Sequence, residues 1–289
     1  MKLIFEKSQA GRGTYQLPKS DLGPRECRID PKLLREKIDL PEIGEVEVVR
    51  HYTNLSRRSF GVDQGFYPLG SCTMKYNPKI NEDMARLTGF AANHPNDPQE
   101  LSQGSLQLIY ELQDFLKTIT GMPGVTLQPA AGAHGELTGV MLMQAYFRDR
   151  GDEKRRTLII PDSAHGTNPA TANMCGFDVV QVGSGPDGFV DLNDLRSKMN
   201  DTVVGMMLTI PNTLGIFDKN ILKIAKIVHD GGGLLYMDGA NLNAIVGQVK
   251  PYEMGVDVMH INLHKTFSTP HGGGGPGSGP VVVNEKLMP

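Results

Sequence analysis

The sequence predicts an α/β fold in which helices cover both faces of a mostly parallel sheet. From about residue 100 onward, short apolar runs alternate with longer segments whose apolar residues recur at helical spacing. The short runs are almost continuously apolar, and this pattern is typical of strands that are buried on both faces. Together these two observations indicate a sheet with a helix between most successive strands.

The predicted elements follow in order from residue 102. The first is a helix over 102–120, in which Leu106, Ile109 and Leu116 lie near helical spacing and Gly121 ends the helix. Asp191 is expected to cap a later helix. Strands are predicted at 125–127, 157–161, 178–182, 203–210, 234–238, 256–263 and 281–283, and further helices at 135–148, 168–175, 191–199 and 220–229.

The first 60 residues are polar and irregular, with a candidate short helix at 31–37 that Asp30 would cap. We predict that residues 1–95 form an N-terminal arm and interface segment that wraps over another domain or a partner subunit. A partly disordered arm is the alternative. Residues 96–289 are predicted to form one large domain.

Composition excludes several classes of protein. A chain of 289 residues with 39% hydrophobic and 21% charged residues is ordinary for a soluble globular protein. The net charge of −3 argues against nucleic acid or an anionic membrane as the main partner. We expect neither a membrane span nor a signal peptide. Cys27, Cys72 and Cys175 are odd in number and far apart, which favours a reducing cytoplasm over a disulfide framework or a cysteine metal site.

Small, polar or titratable residues follow five of the predicted strands. In a parallel sheet the loops after the strands face one crevice, so these residues are expected to meet there. A purely structural protein would not need such residues at all five positions, and the coincidence predicts an active site. The five segments are 128–136, 162–168, 211–215, 238–241 and 264–266.

Individual groups in these segments suggest particular roles. Residues 131–135, at a helix start, would offer free backbone N–H groups to a phosphate. The alternative is a glycine-rich turn that only joins a strand to a helix. Asp238 ends an apolar run, so its carboxylate needs a cation from a ligand or from a distant side chain. His134 or His165 could lie against an aromatic ring or serve as an ordinary loop histidine. A zinc site built from these three residues lacks a supporting ligand spacing, and we predict no metal.

Lys265 follows the apolar run 256–263 and precedes a glycine-rich segment, so it is expected on loop backbone. The alternative is a solvated lysine before a flexible linker. A phosphate seat, a buried carboxylate, a planar stacking group and a lysine together match pyridoxal 5'-phosphate. Asp238 would keep the ring nitrogen protonated, and Lys265 would capture the aldehyde as a Schiff base and later carry a proton.

Four segments resemble the glycine cleavage system P-protein family of pyridoxal-phosphate glycine decarboxylases. They are 68–75 (PLGSCTMK), 163–170 (SAHGTNPA), 238–241 (DGAN), and 263–277 with its LHKTF and PHGGGGPG parts. The sequence AHGE at 133–136 and the short N-terminal arm are similar to subunit 2 of the two-subunit bacterial form. Within the first segment Cys72 is expected to be structural, since nothing nearby marks its thiol as activated.

The resemblance implies the fold type I architecture of pyridoxal-phosphate transferases, which is aspartate aminotransferase-like. It implies three catalytic residues: Lys265 for the Schiff base, Asp238 for the ring nitrogen and His165 for stacking on the ring. It implies that the cofactor also contacts Gly132, Ala133, His134 and His264 near the phosphate, Asn212 or Thr213 near the ring hydroxyl, and Ala240.

The resemblance further implies decarboxylation of glycine and transfer of the aminomethyl group to the lipoyl arm of H-protein. Expected partners are P-protein subunit 1 and lipoylated H-protein, in a cytoplasmic hetero-oligomer without nucleic acid or membrane. Family subunits continue into a smaller C-terminal domain that is absent from this chain, so we expect 1–289 alone to be inactive. The alternatives are another fold type I enzyme, such as an amino-acid lyase or a desulfurase, and a non-catalytic assembly subunit.

Overall fold

A computed structural model describes residues 1–14, 18–19, 21–22, 29–36, 38–66, 74–269 and 276–288. Cys27, Cys72, most of the segment 68–75 and the glycines at 272–275 therefore lie outside the described residues. The chain divides into two compact units, Met1–Tyr67 and Pro68–Pro289. The predicted domain division after residue 95 stays a prediction.

The first unit contains a helix that the sequence analysis missed. Helix α1 spans Glu45–Ser56, and the acidic Glu45 and Glu47 in its first turn suit the positive end of a helix dipole. Most of its apolar side chains are exposed, so no core pattern identified it. Upstream, Asp30 does cap a turn, because its carboxylate accepts from the N–H of Lys32 at 3.0 Å. That turn is a 3-10 helix over Pro31–Leu33, shorter than the helix predicted for 31–37.

The second unit is built on one seven-stranded sheet. Strands β2 to β6 pair in parallel, whereas β7 pairs antiparallel with both β6 and β1. The sheet order is β1-β7-β6-β5-β4-β2-β3. The strands are β1 (Gly124–Thr126), β2 (Thr157–Pro161), β3 (Asp178–Val182), β4 (Val203–Thr209), β5 (Leu234–Gly239), β6 (Val258–Ile261) and β7 (Val281–Val283). The mostly parallel sheet that the continuous apolar runs predicted is confirmed.

Helices cover both faces of this sheet. On one face, Leu116 of α4, Leu195 of α7 and Ile224 of α8 share a buried cluster with strand residues. On the other face, Met143 of α5 and Ala172 of α6 belong to a second buried cluster. The remaining helices of the unit are short. The helices are α2 (Ile80–Ala85), α3 (Thr88–Ala91), α4 (Gln103–Thr120), α5 (Gly132–Asp149), α6 (Thr167–Met174), α7 (Leu192–Lys198), α8 (Ile221–Asp230) and α9 (Leu263–Thr266).

The end of β6 differs from the prediction. The apolar run 256–263 predicted a strand up to Leu263, but β6 ends at Ile261 and a short helical turn, α9, begins at Leu263. The carbonyl of Asn262 accepts from the N–H groups of Lys265 (3.0 Å) and Thr266 (3.2 Å). Lys265 therefore lies in a helical turn and not on loop backbone. An apolar run cannot by itself locate such a change of backbone conformation. No helix in the described part of the chain has the length and apolar character needed to cross a membrane.

Asp257 anchors the amino-terminal edge of the sheet. Its side chain is 1% exposed and accepts from the N–H of Leu235 (2.7 Å), Nδ2 of Asn284 (2.5 Å) and Nζ of Lys286 (3.1 Å), and it lies 2.7 Å from Nε2 of His229. Burial by itself raises the pKa of Asp257, but the hydrogen bonds from His229 and Leu235 and the charges of His229 and Lys286 lower it below its ordinary value.

Replacing Asp257 by asparagine is expected to lower the free energy of unfolding by about 2–3 kcal/mol at neutral pH, because several hydrogen bonds to a charged group are weakened at once. A carboxyl whose pKa is depressed by folding stabilises the native state above its unfolded pKa, and this contribution is lost as the pH falls through the folded pKa. The difference in the free energy of unfolding between parent and variant should therefore shrink below about pH 4. Urea unfolding at pH 7 and at acidic pH measures this difference.

The matched control is Asp230→Asn, which removes an exposed ion pair with Lys226 and should change stability by less than about 1 kcal/mol. An Asp257 variant as stable as this control at pH 7 would show that the buried network does not stabilise the fold.

Candidate active site

The carboxyl ends of β2, β4, β5 and β6 open onto one cavity of about 470 Å³, a volume that suits a small molecule. Glu136, Thr167, Thr209, Asn241, His260 and Asn262 are among the residues that line it. Eight of the ten predicted site residues do so as well: Gly132, Ala133, His165, Thr213, Asp238, Ala240, His264 and Lys265. Parallel strands have their carboxyl ends at the same edge of the sheet, and this arrangement brings distant segments of the sequence together here.

Asp238 lines this cavity and is 3% exposed. Its Oδ1 accepts from the N–H of Ala240 at 2.9 Å and lies 3.3 Å from Nε2 of His260. Its Oδ2 accepts from Nδ2 of Asn168 at 3.1 Å. Burial alone raises the pKa of this carboxyl, but His260, the two hydrogen bonds and the charge of Lys265 lower it below its ordinary value. Asp238 is thus held as a buried carboxylate.

His260 is the side-chain partner of Asp238 that local sequence pattern did not locate. The register of β5 and β6 places the two residues directly opposite each other. On its other side, Nδ1 of His260 lies 2.7 Å from the hydroxyl of Tyr236. Burial, and then the charges of Glu136 and Asp238, raise the pKa of Tyr236 well above its ordinary value, so its hydroxyl keeps its proton. Tyr236, His260 and Asp238 form one buried line of polar contacts.

The backbone around Lys265 is held from outside the sheet. Nζ of Lys75 donates to the carbonyl oxygens of His264 (2.5 Å) and Thr269 (3.0 Å), and Nδ2 of Asn81 donates to that of Ser268 (3.2 Å). Lys75 is the last residue of the segment 68–75. The described end of that segment therefore contacts the backbone on both sides of Lys265.

The N-terminus of α5 faces the cavity through Gly132 and Ala133. No side chain among the described residues caps this helix, so the first N–H groups of an 18-residue helix and the positive end of its dipole remain available to an anion. Gly132 packs against Asn262, and a Cβ at Gly132 would meet the amide oxygen of that side chain. This close approach explains why glycine stands at the helix start.

The described part of the glycine-rich segment packs against the same corner. A Cβ at Gly277, where φ is +73°, would meet the ring of His264. A Cβ at Gly279 would meet the backbone of Ala131 at the start of α5. Nδ1 of His264 accepts from the N–H of Ser278 at 3.3 Å. This stretch is close-packed backbone, so Lys265 is not followed by a solvated linker there.

Two predicted site residues do not line the cavity. His134 is exposed, and its Nδ1 accepts from the N–H of Ala130 at 3.1 Å, which closes the turn before α5. Asn212 structures the turn after β4, because its Oδ1 accepts from the N–H groups of Leu214 and Ile216, both at 3.0 Å. Thr213, its neighbour, lines the cavity and donates its hydroxyl to the carbonyl of Ser163. The binding roles of His134 and Asn212 stay predictions.

Buried polar atoms without a hydrogen-bond partner concentrate here. Among the described residues there are seven such side-chain atoms, and five of them line the cavity or adjoin its residues. Native proteins pair nearly all buried polar groups, so this concentration indicates a site that accommodates a polar ligand. The five are Oε1 of Glu136, Oδ1 of Asn168, Oγ1 of Thr209, Oδ1 of Asn262 and Oγ1 of Thr266.

Sequence reasoning assigned no role to Glu136, Asn168, His260 or Asn262. Each is a polar residue within or beside an apolar element and is buried by at least nine-tenths. That combination is the signal that could have found them. Ligand atoms of Glu136, Asp238 and His260 lie within 4.8 Å of one another, a different set from the His134, His165 and Asp238 considered for zinc.

Replacing Gly132 by alanine is expected to weaken binding of an anionic ligand by about tenfold or more, because the methyl group must displace Asn262 from the helix start. Titration of the full-length protein with pyridoxal 5'-phosphate, followed by absorbance, measures the change. Gly104→Ala is the matched control, since a Cβ at that helical position meets no described atom within 4 Å. Equal affinities of the two variants would contradict the assigned role of the helix start.

The architecture and the position of the cavity define the class of protein. A mostly parallel sheet with helices on both faces and a site at the carboxyl ends of its strands matches the fold type I, aspartate aminotransferase-like architecture of the solved structures to which the chain is similar. The structure is similar to that of a glycine decarboxylase (P-protein) of the glycine cleavage system in inhibitor-bound form, with a TM-score of 0.71 and 21% identity over 91% of this chain and 58% of that one. It is also similar to Oryza sativa TDC solved with PLP and tryptamine (TM-score 0.61, 16% identity, 89% and 61% coverage).

The chain belongs to the glycine cleavage system P-protein family, which matches residues 26–289. It is 60% identical to the probable glycine dehydrogenase (decarboxylating) subunit 2 of Alkaliphilus oremlandii over 99% of this chain. It is 58% identical to the protein of the same description from Thermosipho africanus over 98% of this chain. The chain spans about 60% of the length of the curated relatives it matches.

Proposed function

We propose that this cavity holds pyridoxal 5'-phosphate and that the full-length protein decarboxylates glycine within the glycine cleavage system. The observation that carries the proposal is the combination, in one cavity, of an ionised buried carboxylate, a lysine and an uncapped helix N-terminus. Each matches one feature of that cofactor: the basic ring nitrogen, the aldehyde and the phosphate. Membership of the P-protein family supports the choice of reaction.

Bound cofactor would supply an electron-accepting ring that stabilises the negative charge left when CO2 departs. The chain's own residues prepare that chemistry. The carboxylate of Asp238, held ionised by His260, would keep a proton on the ring nitrogen. Nζ of Lys265 would hold the cofactor through its aldehyde and, when it is not bonded to the cofactor, would carry a proton. The N–H groups of Gly132 and Ala133 would bind the phosphate.

The other walls would orient the ring. His165 lines the cavity and is proposed to lie against the ring face, with Thr213 or the turn residue Asn212 near the ring hydroxyl. Ala240, His264 and His134 complete the proposed cofactor-binding set. We further propose that residues 96–289 act as the cofactor-binding large domain. The unpartnered buried atoms around the cavity support a polar occupant of this kind.

The proposed reaction of the full-length protein passes the aminomethyl group to the lipoyl arm of H-protein, whose disulfide is reduced. The description of the relatives as subunit 2 supports a partner subunit and therefore a hetero-oligomer. We propose a cytoplasmic location, which the three widely spaced cysteines support.

The test is glycine-dependent exchange of bicarbonate, measured with the full-length protein, its partner subunit, lipoylated H-protein and pyridoxal 5'-phosphate. We expect exchange that requires all four components and glycine. Loss of CO2 or sulfur from other amino acids, without exchange from glycine, would instead favour a lyase or a desulfurase. Absence of any cofactor absorbance would favour a non-catalytic assembly subunit.

A further inference from the structure

Asn168 is a fully buried polar residue to which the proposed function gives no role. It is the second residue of α6, next to the cavity-lining Thr167, and it is 0% exposed. Its Oδ1 has no hydrogen-bond partner among the described residues. An unpaired buried polar atom is costly to the fold, so packing alone would favour an apolar side chain here. The asparagine therefore calls for a role at the site.

The amide of Asn168 is directed at Asp238. Its Nδ2 donates to Oδ2 of Asp238 at 3.1 Å. The reverse orientation of the amide would place its oxygen against an ionised carboxylate oxygen with no hydrogen between them, so the donor must face Asp238. The other oxygen, Oδ1, accepts from the N–H of Ala240 and lies 3.3 Å from Nε2 of His260. Among the described residues only Asn168 donates to Oδ2, and this contact fixes the rotation of the carboxylate.

The backbone of Asn168 also holds His165. The N–H of Asn168 donates to the carbonyl oxygen of His165 at 3.0 Å, and the N–H of Thr167 donates to Nδ1 of the His165 ring at 3.2 Å. The short turn 165–168 therefore fixes both the backbone and the ring of His165. Asn168 is thus hydrogen-bonded to the residue proposed to contact the ring nitrogen and to the residue proposed to contact the ring face.

We propose that Asn168 is a positioning residue for the cofactor, which fixes the carboxylate of Asp238 relative to His165 and leaves an acceptor site on Oδ2 for the ring nitrogen. Each carboxylate oxygen has two such sites, and Asn168 uses one of those on Oδ2. The inference rests on the proposed function, since Asp238 and His165 are the residues proposed to contact the ring. Because Asn168 acts through Asp238, its loss should weaken recognition of the ring nitrogen and leave the capture of the aldehyde by Lys265 intact.

Several titratable groups surround Asp238. They are Tyr236 on β5, His260 on β6, Lys265 on α9 and Glu136 on α5, and His165 lines the same cavity. None of these groups donates to Oδ2 in the described part of the chain, whereas Asn168 does not titrate and donates there at every pH. Burial raises the pKa of Asp238, and the hydrogen bond from Asn168 is one of the contacts that lower it.

The first test is carbon NMR of the full-length protein with labelled aspartate and no added cofactor, in which the Asp238 signal is assigned by its loss in Asp238→Asn. Asn168→Leu has a similar branched shape but no donor, so Asp238 should take up its proton at a higher pH than in the parent. Asn168→Asp keeps the size and adds a negative charge, so it should shift the titration in the same direction. Asn173→Asp, at an exposed position of the same helix, is the control and should leave the titration unchanged.

The second test compares the affinities of the full-length protein for pyridoxal 5'-phosphate and for an analogue in which a C–H group replaces the ring nitrogen. The parent should bind the cofactor about tenfold or more tightly than the analogue, because the analogue cannot donate to Asp238. This ratio should approach one in Asn168→Leu and stay parental in Asn173→Asp. Adding Asn168→Leu to Asp238→Asn should lower the ratio no further than Asp238→Asn alone, since both changes act on the same contact.

An Asp238 titration that is identical in the parent and in Asn168→Leu would overturn the inference, and so would a parental affinity ratio in Asn168→Leu. A failure of the proposed function appears separately, as a parent protein that develops no absorbance from added pyridoxal 5'-phosphate. The NMR titration needs no cofactor, so in that case it still decides whether Asn168 sets the state of Asp238.

Discussion

Replacing Lys265 by alanine is expected to abolish covalent capture of pyridoxal 5'-phosphate and to lower the glycine-dependent exchange of bicarbonate by about 10³-fold or more. The reason is that the variant loses both the amine that bonds the aldehyde and the group that later carries a proton. Borohydride reduction of the full-length protein with the cofactor, followed by peptide mass measurement, should place the label on Lys265 in the parent and nowhere in the variant.

Two further lysines make the experiment specific. Lys223 is exposed on α8, and Lys223→Ala should keep both the label and the exchange. Lys75 donates to the backbone of His264 and Thr269, so Lys75→Met should weaken exchange while leaving the label on Lys265. A label on Lys75 in the parent, or full exchange by Lys265→Ala, would refute the role given to Lys265.

Replacing Asp238 by asparagine is expected to lower the exchange rate by about 10²–10³-fold, a loss typical of removing one preorganised electrostatic contact in an active site. The amide has nearly the shape of the carboxylate but lacks its charge, so a proton on the ring nitrogen is no longer stabilised. The change also leaves His260 without its anionic partner. Exchange rates and the absorbance spectrum of the bound cofactor measure the effect.

The pH dependence of this loss follows from the lowered pKa of Asp238. Because folding lowers that pKa, the parent keeps its carboxylate ionised from neutral pH down to about pH 5, and the rate ratio of parent to variant should be constant over that range. Asp201→Asn, which removes an exposed ion pair with Lys154, is the control and should leave exchange unchanged. A variant of Asp238 with parental rate and spectrum would exclude the assigned contact.

Much of the site was predictable because one topological rule gathers distant segments. Asp238 and Lys265 each follow a buried apolar run, and parallel strands present their carboxyl ends on the same edge of a sheet. Local pattern therefore sufficed to place both residues in one cavity before any contact was known. The same local reasoning extended β6 too far, because apolar residues occupy both the strand and the first position of α9.

The partners of these residues were not predictable in the same way. His260 faces Asp238 only because of the register between β5 and β6, and Asn168 reaches Asp238 across 70 positions of sequence. Glu136 contacts Thr167 from another helix, 31 residues away. No local sequence pattern predicts these contacts between distant residues, since the contacts depend on how the helices pack on the sheet.

The sequence by itself determined the α/β architecture, the edge of the sheet that carries the site, and the lysine and carboxylate at its centre. These follow from local hydrophobic pattern and from the order of strands and helices along the chain. Only the tertiary structure decided the contacts around these residues, namely the line from Tyr236 through His260 to Asp238 and the contact of Asn262 with Gly132. It also leaves one oxygen of Glu136 without a hydrogen-bond partner among the described residues. Hydrogen bonds act over about 3 Å, so their partners are fixed only once the strands and helices have packed.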